Sequence, residues 1–160
     1  MRSSTDWLDF CKTQRIAVVA GGRSNERDVS LSSGRHILES LQKQSYQAYL
    51  LDPKSDDLRD QSYDLAFNAL HGEFGEDGVI QGFFESMGIP YTGCGVFPAS
   101  LGYNKPLFKQ WLNAVNIPTA RFEIGSENPK LLYPFVAKPI NGGSSLGIEM
   151  MDSKETFENA

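Results

Sequence analysis

The chain offers chemistry in three clusters. The first is Lys138-Pro139-Ile140-Asn141-Gly142-Gly143-Ser144-Ser145-Leu146-Gly147. Glycines let backbone N–H groups approach an anion, the two serines add hydroxyl donors, and the lysine adds a point charge. Such a loop suits the covering of phosphate, and read alone it suits an ordinary Gly-rich hairpin equally well. It is not a Walker loop, because its lysine precedes the glycines and no helix follows directly. The second cluster is His71-Gly72-Glu73-Phe74-Gly75-Glu76-Asp77-Gly78, in which acids, glycines and a histidine leave no room for a periodic element. The third, Gly21-Gly22-Arg23-Ser24-Asn25-Glu26-Arg27-Asp28, is a Gly-Gly turn running into a polar loop. From composition alone its Glu26 reads as a solvated loop glutamate beside Arg27. The G-x-G-x-x-G dinucleotide spacing is absent.

The elements that must hold these clusters follow from periodicity. Residues 15–20 form a continuous β-rich run, as in a strand buried on both faces of a parallel sheet. Val29, Leu31, Ile37, Leu38 and Leu41 recur at helical spacing up to about Gln44. Strand, Gly-rich turn and helix open a doubly wound unit, whose ligands sit at the carboxyl ends of its strands. Further strands are expected at 47–51, closed by Asp52-Pro53, and at 64–70, with a polar connection through Asp60 between them. A helix over 79–87 stopped by Gly88 and a short or edge strand at 89–93 follow. A helical segment is expected over 97–103, then a helix capped by Asn104 with Lys105 and Pro106 in its first turn. Strands at 119–124, 133–137 and 148–151 come next, with a polar loop at 125–132. Asp152 with Glu155 makes a capping box for a last helix. Residues 1–14 read as a leader whose Trp7-Leu8-Asp9-Phe10 is a short amphipathic turn or an extension.

Composition narrows the class. A net charge of −5 without a basic run argues against a nucleic-acid surface. The chain has no apolar stretch of membrane-spanning length and no signal-peptide pattern at its start, so no membrane association and a cytoplasmic location are expected. Cys11 and Cys94 make neither a metal spacing nor a disulfide framework. The last expected helix covers about two turns, which is marginal alone, so the sequence reads as stopping inside a second domain. The expected division is a leader at 1–14, an α/β domain at 15–95 and a partial domain at 96–160.

Four segments, in order, resemble the D-alanine–D-alanine ligases of the ATP-grasp group. They are residues 21–30; Ala69-Leu70-His71-Gly72 with Gly75-Glu76-Asp77-Gly78 and Gln81-Gly82; residues 90–96 with Lys105; and Lys138-Pro139 with residues 143–147. The resemblance implies an α/β fold: a doubly wound, Rossmann-like parallel-sheet domain of the pre-ATP-grasp kind, followed by the start of an ATP-grasp α+β domain. It implies that Glu26 binds the ammonium of the first D-alanine, with Val29 beside it, and that His71 lies near that substrate's carboxylate. Lys105 and Lys138 would hold the phosphates of ATP, with Gly142, Gly143, Ser144 and Ser145 covering them. Lys138 also stands in an apolar run, where a buried lysine without an anion is costly. Ser144 would in addition bond towards Glu26 in a catalytic arrangement completed by a tyrosine beyond Ala160. Family members often carry a glutamate or similar polar residue where Gly142 stands here, which implies a more mobile loop. Glu76 and Asp77 are read as loop-ordering and helix-capping residues, and the Mg2+ ligands are expected beyond residue 160.

The implied reaction is ATP-dependent ligation of two D-alanines through a D-alanyl phosphate, for peptidoglycan precursors, by a homodimer. The alternatives are a D-alanine–D-lactate or D-alanine–D-serine ligase, or a truncated non-catalytic binding module. The isolated 160 residues are expected to be inactive.

Overall fold

The computed structural model describes residues 4–59, 62–125, 127 and 129–159, with side chains from Leu8 onward. The start of the leader, the Trp7 side chain, Asp60, positions 126 and 128 of the expected polar loop, and Ala160 lie outside the described residues. The chain divides into two compact units, Met1–Ser100 and Leu101–Ala160.

In the first unit a helix α1 (Ser4–Lys12) precedes β1 (Arg15–Val19). β1 lies between β2 (Gln47–Leu51) and β3 (Leu65–Asn68), and both pairings are parallel. Its central position explains its composition. Ala17 and Val19 face a cluster with Ala66, Leu70, Ile80 and Phe84, while Val18 and Ala20 face Ala69, Ile37, Leu38 and Leu41. Alternate residues thus feed two cores, one under α2 (Arg27–Lys43) and the other under α3 (Val79–Met87). This is the doubly wound α/β arrangement. α2 rides so close to β1 that a Cβ on Gly34 would overlap that of Ala20. α3 stops at Gly88, which takes the left-handed conformation (φ 66) that glycine adopts at no steric cost.

Some expected elements change. α2 begins at Arg27, so the polar loop after β1 ends at Glu26. The expected strand at 89–93 is reduced to a single parallel bridge between Ala66 and Tyr91. Pro90 has no N–H to extend a ladder, and Gly93 (φ 117) turns the chain away.

α4 (Val96–Tyr103) straddles the division. In the second unit, α5 (Lys105–Ala114) is capped as expected, with the Asn104 side chain accepting from Leu107 N at 3.1 Å. Residues 119–124 form no strand. Their backbone meets side chains instead of a ladder, as Lys109 Nζ donates to Ala120 O at 2.9 Å. β4 (Phe135–Ala137) and β5 (Glu149–Met151) form an antiparallel pair flanking the Gly-rich loop. The last helix, α6 (Lys154–Glu158), is capped by Ser153 and not by Asp152, because the Ser153 hydroxyl accepts from Thr156 N at 3.2 Å. Among the described residues no helix is long and apolar enough to cross a membrane.

Candidate functional site

At the carboxyl end of β1 the chain turns through Gly21 (φ 93) and Gly22 (φ 74), a geometry that strains any residue with a Cβ. Three side chains from elsewhere fix this turn. The fully buried Ser30 accepts from Gly21 N at 2.8 Å and donates to Ala69 O at 2.8 Å, joining β1, α2 and the end of β3. Arg27 grips Asp52 in a two-pronged pair, Nη1 to Oδ1 at 3.0 Å and Nη2 to Oδ2 at 2.6 Å, and donates to Gly22 O at 2.7 Å. Asp52 Oδ1 also accepts from Gly22 N and Lys54 N, each at 3.0 Å. The Arg27 guanidinium, helped by these amides and opposed by burial, holds the Asp52 carboxyl down at about 2.

A carboxyl depressed in the folded state stabilises the fold above its unfolded pKa, near 4, and loses that contribution as pH falls through the folded value. Stability is therefore expected to decline between about pH 4 and pH 2. Asp57, held at about 2 by Arg59, and Asp64, lowered by Arg15, titrate in the same window but are exposed. Asp52→Asn is expected to cost about 1–2 kcal/mol at pH 7, a charged hydrogen-bond contribution discounted for remaining solvent contact. It should also flatten the acid slope of thermal midpoint against pH. An unchanged slope would show that the exposed pairs carry it.

Glu26, the residue just before α2, is only 6% exposed. Its side chain makes no capping hydrogen bond to α2. The carboxylate lies instead against the next loop: a Cβ on Gly72 would sit 3.0 Å from Glu26 Oε1. The solvated pair with Arg27 is thus excluded, since Glu26 is buried and Arg27 is committed to Asp52. His71 adjoins Gly72, and its Nδ1 stands 3.6 Å from Glu76 Oε1, too long for a hydrogen bond. Glu76 Oε2 accepts from Gly72 N at 2.8 Å. Asp77 accepts from Phe74 N at 2.8 Å and Val79 N at 3.0 Å, so both acids order the loop and the start of α3. The Ser24 hydroxyl donates to His71 O at 2.7 Å and accepts from Glu26 N at 3.2 Å. Val29 lies exposed on α2, one turn along. A groove of about 520 Å³, lined in part by Gly22, Arg23, Ser24, Leu58 and Phe74, opens beside the turn.

The remaining candidates belong to the second unit. Lys105 N donates to Ile140 O at 3.0 Å and Lys105 Nζ to Gly142 O at 2.6 Å, so this lysine is drawn onto the Gly-rich loop and is not merely a solvated helix start. Lys138 is exposed at the end of β4, so the expected burial cost does not apply to it. Within the loop, Gly142 (φ 96), Ser144 (φ 49), Ser145 (φ 61) and Gly147 (φ 67) are all left-handed. For the serines this is uncommon backbone, of the kind found at ligand-gripping loops. Gly143 lies between them, and its carbonyl accepts from Leu146 N at 3.1 Å. The first unit thus gathers Glu26, His71 and Val29, and the second gathers Lys105, Lys138 and residues 142–145. Among the described residues no group of three or more His, Cys, Asp or Glu side chains could hold a metal.

Sequence reasoning gave Ser24 no role and read Asp52 only as the end of a strand. A carboxylate directly after the strand beside β1 was the available signal for Asp52, and a serine two places before Glu26 was the signal for Ser24.

Residues 50–94, which carry His71 and the loop after it, match the family model described as D-ala D-ala ligase N-terminus. A D-alanine–D-alanine ligase of Actinobacillus succinogenes is 40% identical over 163 residues, covering 93% of this chain and 53% of its own. That of Alcanivorax borkumensis is 44% identical over 150 residues, covering 91% of this chain and 48% of its own. The chain belongs to the D-alanine–D-alanine ligase family. It spans about half the length of the curated relatives it matches. Among solved structures of such ligases, that from Bacillus anthracis superposes with a TM-score of 0.77 at 31% identity, covering 92% of this chain and 52% of its own. The D-alanyl-alanine synthetase A of Vibrio cholerae gives a TM-score of 0.78 at 23% identity, a likeness of fold.

Proposed function

We propose that the protein carrying this chain joins two D-alanines at the expense of ATP, and that the chain's first unit holds the first D-alanine. The observation that carries this reading is the buried Glu26 carboxylate, set against the His71–Gly72 turn at the carboxyl edge of the sheet. A carboxylate at that edge of the sheet suits the ammonium of a small zwitterion, and His71 can donate to the carboxylate at its other end. The names of the relatives support the substrate class.

In the proposed reaction a carboxylate oxygen of the first D-alanine attacks the γ-phosphorus of ATP, and ADP departs. The amine of the second D-alanine then attacks the acyl carbon, loses a proton, and inorganic phosphate leaves. Glu26 and His71 orient the first substrate by its two charged ends. Lys105 and Lys138, with the amides of residues 142–145, offset phosphate charge, and the hydroxyls of Ser144 and Ser145 add donors. A homodimer and a role in peptidoglycan precursor supply belong to the same proposal.

The test is ATP- and D-alanine-dependent phosphate release. Release by the 160 residues joined to the second half of the Actinobacillus succinogenes ligase, with none from the 160 residues alone, is the expected result. A joined protein that folds, binds ATP and ignores D-alanine would sink the substrate assignment.

A further inference from the structure

The turns that carry Glu26 and His71 meet after different strands, 45 positions apart in the sequence. Something must set the distance between them, because a misplacement of about 1 Å can cost 10²-fold in rate. The resemblance assigns nothing to Ser24. We infer that Ser24 is the positioning residue for this pair, tying the turn that carries Glu26 to the turn that carries His71. The inference rests on the first-substrate reading of Glu26 given above.

The geometry is specific. A hydroxyl has one proton to give and lone pairs to receive. Ser24 Oγ gives its proton to the carbonyl of His71 and receives the amide proton of Glu26. It therefore bonds the backbone of both candidate residues at once. Gly72 completes the fit, since a Cβ there would meet Glu26 Oε1 at 3.0 Å and the Ser24 Cβ and Oγ at 3.4 Å. The fold's other struts act elsewhere. Ser30 holds Gly21 to Ala69, and Arg27 with Asp52 holds Gly22. Neither touches His71, so loss of Ser24 leaves the β1 turn formed while the two substrate-facing residues drift relative to each other.

A titration of D-alanine into the chain, followed by the amide resonances of residues 24–27 and 70–73, separates the outcomes. Ser24→Ala is expected to weaken D-alanine about tenfold, the loss of one hydrogen-bonded tie. Its thermal midpoint should stay near the wild-type value. Ser24→Thr, which keeps the hydroxyl, is expected to recover the wild-type affinity to within threefold. Ser24→Cys, whose thiol is a weak donor, should fall between and serves if the alanine variant does not fold. Glu26→Gln is the reference for the reading beneath. If it loses D-alanine while Ser24→Ala and Ser24→Cys bind as the wild type does, the positioning inference fails and the substrate reading stands. If the wild type shows no D-alanine response, the substrate reading itself fails and takes the inference with it. A threonine variant no better than alanine overturns the hydroxyl's role.

Discussion

Replacing Glu26 by glutamine is expected to lower kcat/KM for D-alanine by about 30- to 5,000-fold in the proposed ligase, the range set by about 2–5 kcal/mol for removing one partner of a buried, hydrogen-bonded charge pair. Glutamine keeps the shape, so the 6% exposure of this side chain and its seat against Gly72 change little. What disappears is the charge that would meet an ammonium. The loss should fall on D-alanine and spare the KM for ATP, because the lysines and the Gly-rich loop stand in the other unit. Steady-state kinetics with each substrate varied in turn reads both numbers. An equal loss for ATP and D-alanine would mean that Glu26 supports the fold and not the substrate.

Ser30→Ala is the largest stability effect expected away from the apolar core. The hydroxyl serves two backbone groups at once, Gly21 N and Ala69 O, and it is wholly buried. Alanine leaves both without that partner and inaccessible to bulk water. Each unsatisfied buried group costs about 1–3 kcal/mol, so a total of about 2–6 kcal/mol is expected for the two. Urea unfolding should show it as a lower midpoint at an unchanged slope, since the surface exposed on unfolding is the same. A shift below about 0.5 kcal/mol, the scale of a neutral surface change, would mean that the turn relaxes to find other partners.

Much of the first unit was legible because its signals are local. The run at 15–20 announces β1 by being apolar without alternation, and β1 proves to be covered on both faces. Asn104 and Gly88 announce helix ends by side-chain and backbone chemistry that needs no distant partner. The misses fall where the partner decides. Residues 89–93 and 119–124 have strand-like composition, yet a strand exists only where a neighbour offers a ladder. Pro90 limits the first, and the backbone of the second meets the Lys109 side chain instead. Asp152 and Ser153 are adjacent capping types, and local composition does not rank them. At the site, the resemblance named Glu26 and His71, but composition alone left Glu26 beside Arg27. Its burial depends on Gly72, and the commitment of Arg27 depends on Asp52, 25 positions away. Lys138 was credited with burial because its neighbours are apolar, whereas it stands at the exposed mouth of β4.

The turn after β1 carries a last consequence. In doubly wound folds the glycine turn following the first strand is where backbone amides commonly cradle a ligand's phosphate. Here the amide of Gly22 already points at a carboxylate, and that carboxylate is Asp52 of the same chain, neutralised by Arg27. The amide of Gly21 is taken by Ser30. The protein thus supplies its own resident anion to the seat that a nucleotide would otherwise use. A phosphate arriving there would find the donors already taken by other oxygens. The turn is thus closed to a phosphate by the chain's own side chains.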